Sequence, residues 1–133
     1  MTIKFREVEP GDYDGLRQFL SEQGWTDRVQ DTDRFRTMLD KSDRTVLALD
    51  GDSIVGFARA LCDDASNGYI SMVAVAPNRR RQGIGRELVT RLMSGDTEGR
   101  ITWVLRAGRD STGFWTRLGF SPSSIAMERL RTK

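Results

Sequence analysis

Residues 73–88 read Val73-Ala74-Val75-Ala76-Pro77-Asn78-Arg79-Arg80-Arg81-Gln82-Gly83-Ile84-Gly85-Arg86-Glu87-Leu88, and their order dictates the local structure. The apolar stretch up to Ala76 predicts a buried strand, which Pro77 ends because proline has no N–H to give to a central ladder. After Gly85 the residues Leu88, Val89, Leu92 and Met93 recur at helical spacing, with Arg86, Glu87, Thr90 and Arg91 on the other side. Three arginines and two glycines stand between strand and helix. Glycines at the start of a helix let backbone N–H groups approach a ligand closely, and the unpaired N–H groups of the first turn carry the positive end of the helix dipole. That geometry binds phosphate, and Arg80, Arg81 and Arg86 add charge around it.

Two other phosphate loops fail on single residues. A Walker loop needs Gly-Lys-Ser/Thr at the helix start, whereas Gly85 is followed by Arg86 and Glu87. A Rossmann fingerprint needs a small residue at position 88, which is Leu88. The distribution of charge also favours an anionic partner. Residues 1–64 hold 9 Lys/Arg and 14 Asp/Glu, a net of −5, and residues 65–133 hold 12 and 5, a net of +7, inside a chain whose overall charge is only +2. Arginine makes up 18 of the 21 cations; its planar fork suits phosphate, although the excess taken alone fits a GC-rich coding sequence at least as well.

Outward from the motif, Tyr69 to Ala76 is a strand whose period of two places Tyr69, Ser71, Val73 and Val75 on one face and Ile70, Met72, Ala74 and Ala76 on the other. Upstream, Thr45–Leu49 and Ser53–Leu61 form a hairpin about Asp50-Gly51-Asp52. Ile3–Val8 opens the chain as a strand. A helix capped near Asp12 and stopped at Gly24 follows, then a loop over Gly24–Asp27 and a helix capped by Asp31 or Thr32. Downstream, Ile101–Leu105 is a strand and Asp110 or Ser111 caps a helix that Gly119 closes. Phe120 and Ile125–Leu130 are expected to complete the sheet. The fold class is α/β with a mixed sheet, in one domain spanning 1–133.

Composition excludes several chemistries. The chain has 133 residues, one cysteine (Cys62) and no histidine, so an internal disulfide, a Cys/His zinc site and His-dependent nucleophilic catalysis are ruled out. No metal is expected. No apolar run approaches the ~20 residues of a membrane span, and the opening residues lack the apolar stretch of a signal peptide; a cytoplasmic location is the expectation.

The stretch Val75, Pro77, Arg80, Gly83 and Gly85 resembles the V-x-P-x-x-R-x-x-G-x-G signature of the GNAT superfamily of acyl-CoA N-acyltransferases, and Phe114–Phe120 is similar to its late helix-to-strand segment. The resemblance implies the GNAT fold: a mostly antiparallel central sheet with one parallel, splayed pair of strands and about four helices. It implies acetyl-CoA as acyl donor, with backbone amides at Arg81, Gly83, Ile84, Gly85 and Arg86 taking the pyrophosphate, Arg80 beside them, and Val73 and Val75 pairing with the pantetheine arm. An amine would attack the thioester directly, with the N–H near Val73 as oxyanion donor.

The usual general acid of this family is a tyrosine in the late helix, and that position is Trp115, whose indole N–H does not release a proton at neutral pH. Trp115 is expected to pack beneath the pantetheine. Tyr69 and Ser111 are the replacement candidates for proton transfer, and Trp25 and Asp27 the candidate acceptor contacts, with Asp63 and Asp64 at a second rim. The expected reaction is acetyl transfer to a primary amine of a small molecule or peptide. The alternatives are an acceptor amine on a protein or aminoacyl-tRNA, and an acyl-CoA-binding module that has lost catalysis. A nucleic-acid or membrane partner is not expected; a homodimer is compatible with the resemblance.

Overall fold

The computed structural model describes residues 2–108 and 110–133. Five strands form one sheet in sequence order: β1 (Ile3–Arg6), β2 (Arg44–Asp50), β3 (Ser53–Cys62), β4 (Asn67–Val75) and β5 (Thr102–Leu105). The first four pair antiparallel. The β4–β5 pair is parallel, running from Asn67 opposite Thr102 to Ile70 opposite Leu105. Helix α4 (Ile84–Leu92) makes the crossover between them, as a parallel pair requires.

The sheet separates two apolar layers. On one face lie α1 (Tyr13–Leu20), α2 (Thr26–Val29) and α3 (Thr32–Asp40), which bury Leu16, Leu20, Val29 and Phe35 against Leu47, Phe57, Met72 and Ala74. On the other, α4 and α5 (Thr112–Arg117) bury Leu88, Leu92 and Trp115 against Val46, Ala58, Ala60 and Ile70. Asp31 caps α3 by accepting a hydrogen bond from Arg34 N at 3.1 Å.

Four local expectations are corrected. First, α1 itself ends at Leu20, and a wide helical turn over Ser21–Trp25 carries the chain to the stop at Gly24, whose φ of 93° is left-handed. Second, Thr26 and Asp27 are not loop: they begin a short helical turn whose Val29 is fully buried.

Third, β4 does not keep one period of two. Arg59 of β3 faces Met72 while Ala60 faces Ile70, so Ser71 is an extra residue, a β-bulge. One inserted residue exchanges the faces. Ile70 therefore packs in the layer that Val73 and Val75 join, opposite to Met72 and Ala74, and Tyr69 no longer shares a face with Val73 and Val75.

Fourth, residues 125–130 form no strand, and Ile125 and Met127 are 88% and 97% exposed. Ser123 Oγ accepts hydrogen bonds from Ile125 N (3.2 Å) and Ala126 N (3.0 Å), tying up donors that a ladder would need. Among the described residues, no helix is long and apolar enough to cross a membrane.

Candidate functional site

β4 continues from Ser71 to Val75 beyond its last pairing with β5. That edge has no strand partner among the described residues, and a cleft of about 640 Å³ opens beside it. Val73, Ala74 and Val75 form its floor. The turn before α4 and the first turn of α4 make one wall, and Phe114 and Arg117 of α5 and Gln23 and Trp25 complete the lining.

The α4 wall owes its shape to backbone conformation. Arg81 has a φ of 66° and Gly83 a φ of 81°, so the chain turns sharply into the helix. The first backbone bond into the helix is Glu87 N to Gly83 O, 3.0 Å, and among the described residues no side chain caps the start. The N–H groups of Ile84, Gly85 and Arg86 thus lack the partners that a helix end needs. A Cβ on Gly85 would stand 3.1 Å from the Phe114 ring and 3.6 Å from Val75 Cγ2, so α4, α5 and β4 converge where only glycine fits. Arg79 is ion-paired to Asp50 in the β2–β3 turn, which pins the 3-10 turn Pro77–Arg79. Arg80, Arg81, Arg86 and Arg117 line the cleft with exposed side chains. Uncapped N–H donors ringed by guanidinium groups fit a diphosphate.

The cleft gathers Val73, Val75, Arg80, Arg81, Gly83, Ile84, Gly85, Arg86, Ser111 and Trp25 from the residues picked out in sequence. Ser111 Oγ donates to Gly108 O at 2.7 Å. Three other picks lie outside the lining. Trp115 is 8% exposed and sits edge-on to Phe114 and Phe120, with ring centroids 4.9 and 5.3 Å away; the aromatic that α5 turns to the cleft is Phe114. Asp27 is exposed on α2. Tyr69 lines a separate cavity between β5 and residues 126–131.

The second acidic rim is structural. Asp63 accepts hydrogen bonds from Ala65 N, Ser66 N and Asn67 N, which hold its carboxyl well below the usual range, and Asp64 pairs with Arg44 at 2.9 Å. Cys62 Sγ accepts from Asp64 N at 3.4 Å in the same turn. Sequence reasoning missed Asp110 and Arg117 in the lining. For Arg117 a signal was present, because it follows Phe114 by three residues on one helix face; Asp110 precedes α5 with a left-handed φ of 66° and carried none.

Residues 11–120 match the family model of the GNAT acetyltransferases. None of the curated proteins is a sequence match. Among solved structures, a GNAT-family acetyltransferase from Streptococcus pneumoniae is 25% identical, with a TM-score of 0.75 over 99% of this chain and 98% of that one. AAC(6')-Iy in complex with the bisubstrate analogue CoA-S-monomethyl-acetylneamine is 17% identical, with a TM-score of 0.76 over 98% and 99%. Glucosamine-6-phosphate N-acetyltransferase from Arabidopsis thaliana is 19% identical, with a TM-score of 0.70 over 98% and 99%; these last two likenesses are of fold. Every residue that lines the cleft falls inside the matched span, and the chain belongs to the GNAT acetyltransferase family.

Proposed function

We propose that this protein transfers an acetyl group from acetyl-CoA directly to a primary amine of a small molecule or peptide. The observation that carries the reading is the uncapped start of α4, ringed by Arg80, Arg81 and Arg86, at one end of a cleft whose floor is an unpaired strand edge. In this reading the N–H groups of Ile84, Gly85 and Arg86 bind the donor's diphosphate. The free edge at Val73 and Val75 pairs with its amide-bearing arm in the manner of an added strand. Acetyl-CoA supplies the activated thioester.

The N–H of Val73 donates to the carbonyl oxygen as charge develops on it, a contribution of about 3 kcal/mol by analogy with oxyanion holes. The amine must arrive neutral, giving its proton to water. A C–N bond forms, the C–S bond breaks, the attacking nitrogen releases its second proton to solvent, and the thiolate takes one up from solvent. Ser111 is the hydroxyl of the cleft that can stabilise the thiolate, by rotating its donor away from Gly108 O. Its pKa is far too high for a general acid, so positioning bears most of the catalysis.

The test is release of free CoA thiol from acetyl-CoA with a panel of amines and peptides. Turnover with at least one acceptor is expected. A second reading, an acyl-CoA-binding module without catalysis, is favoured by one observation: no tyrosine lines the cleft among the described residues. Tight CoA binding with no turnover on any acceptor would select it.

A further inference from the structure

Arg59 is the one charged residue in the buried set of the described residues, at 6% exposed. Its Nε donates to Ser42 Oγ at 2.8 Å and its Nη1 to Ser71 Oγ at 2.7 Å. Both partners are neutral, and among the described residues no carboxylate pairs with it. A buried cation without a counter-charge is costly, and hydroxyl groups offset only part of that cost. Burial pushes the guanidinium pKa down and the neighbouring Arg28 pushes the same way, while Tyr69 opposes both.

A second cation is close by. Arg28 on α2 lies over the ring of Trp25, 5.6 Å from its centroid, and it too lacks a carboxylate partner among the described residues. Two like charges that fold next to each other without an acidic residue between them repel. Tyr69 is within electrostatic reach of both and adds a phenolic donor.

The position is informative. Trp25 lines the cleft, and Ser71, which holds Arg59, is the bulge residue two positions before Val73. Beyond Tyr69 lies a cavity of about 660 Å³ whose lining includes Arg106, Arg129 and Arg131. Arg106 is paired with Glu128 at 2.9 Å, and Arg129 and Arg131 are exposed. Ser71 and Tyr69 precede Val73 on β4, so the group stands toward the start of the strand, away from the turn that leads into α4; on the acetyl-transfer reading this is the acceptor's end.

We infer that Arg28 and Arg59, with Tyr69, form an anion-binding acceptor subsite, so that the preferred acceptor is a small amine that also carries a carboxylate or a phosphate. This rests on the acetyl-transfer reading and deepens it. The anion supplies the counter-charge that the fold leaves out, and its attached amine is held toward Val73.

Paired substrates test it. Free thiol release from acetyl-CoA is compared for amino acids against their amides and for amino-sugar phosphates against the unphosphorylated sugars. The anionic member of one pair should have a kcat/KM about tenfold or more above its neutral partner, and the pair that responds identifies carboxylate or phosphate. Arg28→Gln should raise the acceptor KM about tenfold while the KM for acetyl-CoA stays unchanged. Equal or better turnover of the neutral members overturns the subsite and leaves acetyl transfer standing.

A binding measurement separates the two claims. With CoA at saturation, so that phosphate is kept from the α4 N-terminus, inorganic phosphate or N-acetylglycine should raise the Tm of the wild-type protein, as a native-state ligand does. The shift should disappear in Arg28→Gln and in Arg59→Met. No shift with either anion in the wild type overturns the inference whatever the turnover. A shift without turnover on any amine overturns acetyl transfer and keeps the anion site.

Discussion

The two ends of β4 do different work with different materials. At the Val75 end the site is made of backbone: left-handed turns at Arg81 and Gly83, a glycine at 85 that leaves room for Phe114, and N–H groups at a helix start. At the Tyr69 end it is made of side chains from three elements, Arg28 on α2, Arg59 on β3 and Tyr69 on β4, gathered by the Ser71 bulge. Backbone sites tolerate few residue types and serve a constant ligand such as a diphosphate. Side-chain sites change one residue at a time, and suit the part of the substrate that differs between relatives.

Breaking α5 should have the largest effect and should fall on neither end in particular. Trp115 is a core residue beside both, so Trp115→Ala should cost about 3–5 kcal/mol of unfolding free energy, measured by urea denaturation. The folded fraction should keep its affinity for CoA. Loss of affinity without loss of stability would return Trp115 to the cleft.

Gly85→Asp strikes the backbone end alone. Its Cβ would press on the Phe114 ring, and its carboxylate would oppose the diphosphate, so CoA affinity should fall about a hundredfold, or ~2.7 kcal/mol, by calorimetric titration. Anion-induced stabilisation at the other end should survive wherever CoA can still be saturated.

Arg59→Met strikes the side-chain end alone. Removing a buried cation that lacks a counter-charge should change stability by less than about 1 kcal/mol, in either direction, whereas acceptor KM should rise about tenfold. A large loss of stability with an unchanged KM would make Arg59 a structural residue. The smallest effect is expected from Arg81→Gly. Relief of the left-handed φ should raise stability by under about 1 kcal/mol, while loss of one exposed charge weakens CoA binding about threefold, an effect that salt should erase.

The same contrast explains what was readable in the sequence. Pro77, Gly83 and Gly85 announce the backbone end because each is required locally, and the three long strands, β2 to β4, and the α3 cap at Asp31 follow from periodicity and capping chemistry within single segments. The bulge at Ser71 has no such mark: an extra residue is visible only once β3 is laid beside β4. The grouping of Arg59 and Tyr69 near Arg28 depends on that register, so it was hidden too. Residues 125–130 were misread as a strand because their apolar pattern is strand-like, while the competing hydrogen bonds come from one hydroxyl, Ser123 Oγ.

The shortness of the β4–β5 ladder carries a consequence for how the molecule assembles. β2, β3 and β4 zip up between sequence neighbours, but β5, like β1 at the other edge, can pair only after the chain has passed through helices, and four residue pairs are its whole reward. Such a late, non-local pairing is the costly step in chain-closure terms. The amides of Thr102–Leu105 should therefore exchange with deuterium well before those of β3, through partial openings that leave β2 to β4 intact. A ligand lying along β4 would slow that exchange, making the last strand to dock a reporter of the cleft beside it.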